Sequence, residues 1–206
     1  MIVKRGLYVS LIKPFADKML AIVAFVVILP FFIVVALLLM WDVGNPFFTQ
    51  ERVGCGLRVF RIIKFRTMNS RRDARGNLLP DVERLTSLGR MVRKASLDEI
   101  PQLLNVIKGD MSLIGPRPLL VQYVPIYSTE QIRRHEVKPG ISGWAQIHGR
   151  NAISWAEKFK YDVWYVDHVS LLVDLKILLI TIVKVFKAEG ISGRNVATAE
   201  FFNGRN

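Results

Sequence analysis

Apolar and polar positions are spread unevenly along the 206-residue chain, and the unevenness locates its elements. From Met19 to Trp41 there is no charged residue. As a helix this run is roughly 35 Å long, enough to cross a hydrocarbon core of about 30 Å. Pro30 stands at its centre, where a proline removes a backbone hydrogen bond and kinks a helix. A straight span, a kinked span and a segment that dips in and returns all fit this pattern. Lys4, Arg5, Lys13 and Lys18 precede the run, and Arg52, Arg58, Arg61, Lys64 and Arg66 follow it. Because cytoplasmic flanks are enriched in Lys and Arg, both flanks ask for the same compartment, and re-entry would satisfy both. The run is longer than the apolar region of a cleaved signal peptide, and no small-residue cleavage site follows it.

Beyond Asn45-Pro46, Phe47 to Val53 reads as a strand closed by Gly54-Cys55-Gly56, and Arg58 to Met68 as its hairpin partner. A period of two puts Lys64 and Arg66 on one face and Ile63 and Phe65 on the other. Such a basic face either serves a site or is simply solvated. Asn69 to Pro80 is polar enough for a mobile surface loop. A helix is expected from Asp81, with Leu85, Leu88 and Val92 near helical spacing, and it would deliver Arg93 and Lys94 close to the paired carboxylates Asp98-Glu99. Ser96 and Glu99 match a capping box; starting the helix at Asp98 instead would put Pro101 harmlessly in the first turn. Ile100 to Ile107 continues as helix and stops at Lys108-Gly109. Gly115-Pro116-Arg117-Pro118 is a stiff turn presenting one guanidinium, and Lys138 to Trp144 with His148 to Asn151 forms a second loop region. Val169 to Phe186 is apolar but interrupted by Asp174, Lys176 and Lys184, which fits an interfacial or core helix; an irregular tail follows from Gly190.

Composition sharpens the picture. A formal charge of +12 implies anionic partners such as lipid headgroups, nucleotides or nucleic acid. No nucleic-acid recognition motif accompanies the charge, and the apolar run argues for lipid. The single cysteine, Cys55, cannot form an internal disulfide. His135, His148 and His168 are scattered and no cysteine pair exists, which disfavours zinc. Hard carboxylate oxygens at Asp98 and Glu99 suit Mg²⁺ better, with substrate phosphates completing the shell. An aspartate can itself attack phosphorus, and neighbouring cations would screen the repulsion between two anions. The plain structural alternative is that both carboxylates only cap a helix.

Four blocks then carry a resemblance: Lys64-Phe65-Arg66-Thr67-Met68; Ser96-Leu97-Asp98-Glu99-Ile100-Pro101-Gln102-Leu103-Leu104-Asn105; Lys108-Gly109-Asp110-Met111-Ser112-Leu113-Ile114-Gly115-Pro116-Arg117-Pro118; and Pro139-Gly140-Ile141-Ser142-Gly143-Trp144-Ala145-Gln146. In this order, over nearly the whole chain, they resemble the bacterial sugar transferase family, the small monotopic phosphoglycosyl transferases. The short length and the tail Thr198-Ala199-Glu200-Phe201-Phe202-Asn203-Gly204 resemble members that initiate bacterial protein glycosylation.

The resemblance implies an α/β, mostly helical monotopic membrane protein with a re-entrant N-terminal helix, a small β-hairpin and interfacial amphipathic helices. Residues 1–44 would be the membrane helix and its flanks, and 45–206 a catalytic domain on the cytoplasmic face of the inner membrane. It implies transfer of a phosphosugar from a UDP-sugar to undecaprenyl phosphate, with release of UMP and a requirement for Mg²⁺, among anionic lipids. UDP-diacetamido-bacillosamine is the donor implied by the protein-glycosylation members, while other relatives use galactose, glucose or N-acetylated hexosamines. Asp98 would be the nucleophile and a metal ligand, with Glu99 assisting. Arg93 and Arg117, joined by Lys64 and Arg150, would neutralise phosphate charge. Pro30 would break the membrane helix, although Leu29 stands where the family carries a serine. His148 and Lys138 depart from an expected Asn and Arg. Direct attack by the acceptor, with Asp98 only holding metal, and a non-catalytic basic membrane scaffold are the alternatives.

Overall fold

The computed structural model describes residues 6–149, 152–186 and 201–204. A π-helical turn, Tyr8–Ile12, leads into α1, Lys13–Val43, which continues unbroken past Pro30. By length and composition this helix could cross a membrane. Its inner stripe, Lys13, Asp17, Ala21, Phe32, Val35 and Leu39, is buried, at the three- and four-residue steps that keep side chains on one face. The remaining faces are apolar and exposed, with Val27 at 77% and Trp41 at 90%.

The rest of the chain packs along that stripe. Strands β1, Phe47–Val53, and β2, Val59–Phe65, form the expected antiparallel hairpin, with Phe47 opposite Phe65 and Val53 opposite Val59. Phe65 and Phe47 meet Phe32 of α1, and the Phe32 and Phe65 ring centroids lie 4.9 Å apart. Both faces of β2 are engaged: Ile62 packs in a second cluster with Ala21, Val106 and Met111. The strand therefore departs from simple inside–outside alternation.

The helix expected from Asp81 is split into α2, Asp81–Arg84, and α3, Ser87–Lys94. Thr86 lies extended between them; its hydroxyl accepts from Gly89 N (2.9 Å) and donates to Asp42 at the end of α1 (2.6 Å). A threonine that caps one helix cannot continue the other. Gly89 is required here, because a Cβ would stand 2.0 Å from the Thr67 carbonyl oxygen. The segment read as a mobile loop is instead a small hairpin, with Arg72 bridged to Leu78 and Asp73 accepting the backbone N–H groups of Arg75 and Asn77.

The capping box at Ser96 is not formed. Ser96 is left-handed (φ 56°, ψ 19°) and makes no side-chain cap, and Leu97–Glu99 is one 3₁₀ turn. Helix α4 runs from Gln102 to Lys108 and ends at Gly109 (φ 98°), as the sequence predicts. A capping box does occur at Ser154 and Glu157, opening α6, Trp155–His168.

Strands β3, Ser112–Ile114, and β4, Gly140–Ser142, pair in parallel, followed by the short α5, Trp144–Ile147. Helix α7, Leu171–Phe186, buries Ile177 and Asp174 and exposes Leu172, Leu175, Leu179 and Val183, so it serves the core on one face while baring an apolar surface on the other. Asp174 sits in a buried polar cluster: Lys13 lies 2.8 Å from it and 3.2 Å from Asp17, Tyr8 and Tyr165 donate to it at 2.7 and 2.6 Å, and Ser112 donates to Asp17. The start of α1 is thereby pinned to β3, α6 and α7. Lys4, Arg5, Arg150, Asn151 and the tail from Gly190 to Glu200 lie outside the described residues.

Candidate active site

The 3₁₀ turn that carries Asp98 and Glu99 is fixed from below, since Leu97 and Ile100 pack against the cluster of Phe32, Val35, Phe65 and Val92. The carboxylates turn instead toward cations drawn from separate elements. Lys64 of β2 places Nζ 2.7 Å from Glu99 Oε1 and 3.7 Å from Asp98 Oδ2. Arg117 brings Nη2 to 2.5 Å from Glu99 Oε1 and Nη1 to 3.4 Å from Oε2, a two-pronged grip. Arg93, in the last turn of α3, donates from Nε to Thr67 Oγ1 at 2.7 Å and acts on Asp98 through its charge.

Each cation is held by the fold. Lys64 lies on a strand whose outer edge is closed by Asn105 of α4, which accepts from Ile63 N (3.0 Å) and donates to Arg61 O (2.8 Å). Arg117 belongs to the Gly-Pro-Arg-Pro turn after β3, stitched to β4 by Gly115 N to Ser142 O (2.8 Å) and Gly140 N to Pro116 O (3.0 Å). A Cβ on Gly115 would stand 2.3 Å from the Lys138 carbonyl oxygen, so this approach needs glycine. The Arg117 carbonyl accepts from Arg134 Nη2 at 2.7 Å, and Arg134 is itself paired with Asp162 of α6 at 2.7 Å, both being buried.

The two neighbouring carboxylates are driven in opposite directions. Burial opposes ionisation of Glu99, yet Arg117 and Lys64 outweigh it and hold that carboxyl well below the usual range. Asp98 is pushed up, by burial first and by the Glu99 charge, against the pull of Lys64, Arg117 and Arg93. Among the described residues no hydrogen bond engages the Asp98 carboxylate, so it is the more basic and less committed of the pair. That is the condition of a nucleophile or ligand, whereas Glu99 acts as the counter-ion that orders Lys64 and Arg117.

Sequence reasoning placed Asp98, Glu99, Lys64, Arg93 and Arg117 in one site, and the structure brings these five together; Arg150 lies outside the described residues. Arg66 falls past the end of β2. Pro30, expected to break the membrane helix, lies exposed in the middle of α1, which runs on through it. Sequence reasoning missed Arg52, whose guanidinium is pulled down to about 10 by burial and by the Arg117 charge, and Lys158, which lies 4.4 Å over the Trp155 ring and is lowered by burial and by Arg117. It also missed α6 with Asp162, although Ser154-x-x-Glu157 and the spacing of Phe159, Asp162 and Val163 carried the signal.

The donor set fits a metal shared with substrate. Asp98 can give an oxygen, both Glu99 oxygens are taken by Arg117, and among the described residues no group of three or more His, Cys, Asp or Glu side chains could hold an ion by itself. Mg²⁺ is commonly bound this way, by one or two carboxylates plus substrate phosphates and water.

Residues 8–188 match the sequence profile of a family described as bacterial sugar transferase. The uncharacterized sugar transferase EpsL of Bacillus subtilis (strain 168) is 61% identical over 163 residues, covering 79% of this chain and 81% of its own. The UDP-glucose:undecaprenyl-phosphate glucose-1-phosphate transferase of Xanthomonas campestris pv. campestris is 36% identical over 196 residues, 89% of this chain and 40% of its own. The UDP-N-acetylgalactosamine-undecaprenyl-phosphate N-acetylgalactosaminephosphotransferase of Aeromonas hydrophila is 40% identical over 182 residues, 84% of this chain and 43% of its own. The matched region thus spans less than half of the last two proteins.

Proposed function

The chain belongs to the bacterial sugar transferase family, and we propose that it transfers a phosphosugar from a UDP-sugar to undecaprenyl phosphate, releasing UMP. The observation that carries this reading is the division of labour between adjacent carboxylates: Glu99 is committed to Arg117 and Lys64, and Asp98 is raised in basicity and left free of hydrogen bonds among the described residues. In the first step an Asp98 oxygen bonds to the sugar-linked phosphorus, the bond to the bridging oxygen breaks, and UMP leaves with that electron pair. In the second an oxygen of undecaprenyl phosphate attacks the same phosphorus and expels Asp98, giving the lipid diphosphosugar. One phosphoanhydride replaces another, so the protein contributes mainly position and charge stabilisation. Lys64, Arg93 and Arg117 neutralise the phosphoryl oxygens, and Arg52 and Lys158 add to the positive field around Arg117. Mg²⁺, held by Asp98 together with the diphosphate, would supply further neutralisation.

The reading places the acceptor in a membrane, and the packing of α1 supports a monotopic arrangement. Lys13 and Asp17 near its start, and Asp42 at its end through Thr86, are anchored on one and the same domain. A helix held to one domain at both ends fits a monotopic placement against the membrane surface; a span that carries its far end away from the domain does not. The exposed faces of α1 and α7 would meet lipid at the cytoplasmic leaflet, and the basic site beside them suits both a lipid phosphate and a soluble nucleotide. The names of the relatives cover glucose and N-acetylgalactosamine, so donors differ within the family.

The test is UMP release from UDP-sugars, diacetamido-bacillosamine, glucose, galactose and N-acetylgalactosamine included, with undecaprenyl phosphate in vesicles. Asp98→Asn should reduce turnover by about a thousandfold or more. Wild-type protein mixed with donor alone should gain one phosphosugar, located on Asp98 by peptide mass spectrometry. Turnover with Asp98 unmodified would replace this scheme by direct acceptor attack, and UMP release from no donor would reject the transferase reading.

A further inference from the structure

Ser96 holds a backbone conformation that serine rarely adopts, two residues before Asp98. Its φ of 56° and ψ of 19° are left-handed, where the Cβ of an L-residue crowds the following carbonyl. Elsewhere among the described residues the chain meets positive φ with glycine, at Gly44, Gly56, Gly76 and Gly109 for example, apart from Leu57 in the hairpin turn beside Gly56. Ser96 is in no hairpin. It joins the end of α3 to the 3₁₀ turn: its N–H donates to Arg93 O at 2.9 Å and its carbonyl accepts from Glu99 N at 3.3 Å. Its hydroxyl makes no cap.

We propose that Ser96 is a positioning residue, a stiff left-handed elbow whose backbone sets the direction of Asp98 relative to Arg93 and Lys64. Before the elbow, α3 delivers Arg93, fixed to Thr67 at 2.7 Å. After it, Leu97 and Ile100 enter the core with Phe32 and Val92, so the intervening Asp98 and Glu99 face the cations. A right-handed residue at 96 would carry α3 onward and turn Leu97 and Asp98 away from these directions. Strain of this kind persists only where surrounding packing over-determines it, and it gathers at functional sites.

The inference rests on the transferase reading for its kinetic test, and a second measurement is independent of it. Ser96→Gly and Ser96→Asn, both compatible with a left-handed backbone, should keep kcat for UMP release within about threefold. Ser96→Val and Ser96→Thr, β-branched and ill suited to it, should lower kcat about 10- to 100-fold per folded molecule with KM for the donor little changed, as a misaligned reacting group predicts. Retention by Thr with loss in Gly and Asn would assign the effect to the hydroxyl and overturn the proposal. So would Val and Thr variants that lose folded protein but keep wild-type kcat per folded molecule. Labelling of Asp98 by a water-soluble carbodiimide, read against Glu99 by peptide mass spectrometry, needs no turnover: the ratio should be kept in Gly and Asn and altered in Val and Thr. An unaltered ratio in Val and Thr rejects the elbow, whereas absent UMP release in wild type rejects only the reaction.

Discussion

Arg117 and Glu99 close a two-pronged contact, 2.5 Å at its shorter arm, and Lys64 reaches the same Glu99 oxygen from the opposite element at 2.7 Å. This triad makes the acidity of Asp98 adjustable by its neighbours. Lys64 draws the Asp98 pKa down and Glu99 raises it. In the proposed scheme Asp98 reacts as its anion, so activity should be lost as pH falls through its raised pKa. The acid limb of the kcat profile should move to higher pH in Lys64→Met and to lower pH in Glu99→Gln. Limbs that shift the other way, or in one direction together, would count against Asp98 as the titrating group.

Asn105 closes the free edge of β2 with two hydrogen bonds while almost fully buried, at 1% exposure. Replacing it by alanine leaves the Ile63 N–H and Arg61 carbonyl to find other partners. A destabilisation of about 1–3 kcal/mol is expected in denaturant unfolding. Because Lys64 rides on that strand, donor turnover should fall too, and added salt should not restore it.

Gly115→Ala places a methyl group against the Lys138 carbonyl, which is backbone and cannot step aside. The Gly-Pro-Arg-Pro turn must shift, and Arg117 with it. Loss of about 1–3 kcal/mol in stability is expected, of the size seen for overpacking. A crystal structure of the variant should show the Arg117–Glu99 contact opened.

Asp174→Ala removes the shared partner of Lys13, Tyr8 and Tyr165. An ammonium left in that buried setting with only Asp17 should cost about 3–5 kcal/mol. The double change Lys13→Met with Asp174→Leu should recover part of the loss, since removing both charges leaves neither stranded. Thermal unfolding in detergent checks the order of the three proteins.

What the sequence made legible follows from range. The hairpin of β1 and β2, the stop of α4 at Gly109 and the five charged residues of the site depend on short patterns or on motif blocks read in order. Ser96 was misread because Ser-x-x-Glu is the same signal whether the chain caps a helix or turns left-handed, and the difference is decided by Leu97 and Ile100 packing against a distant helix. The pairing of β3 with β4 joins three-residue strands across an intervening loop and has no local signature. Arg134 and Asp162 are likewise far apart in sequence, and only the folded chain makes them a buried support behind Arg117.

The buried stripe of α1 supplies the wall on which Phe65, Ile62, Val106 and Val92 rest. Cutting the chain after its greasy leader to obtain a water-soluble enzyme would therefore strip the lining from the interior that remains. The apolar helix and the domain it lines offer no seam at which to part them, and keeping this protein in solution means dressing the outer side of that helix in amphiphile rather than discarding it.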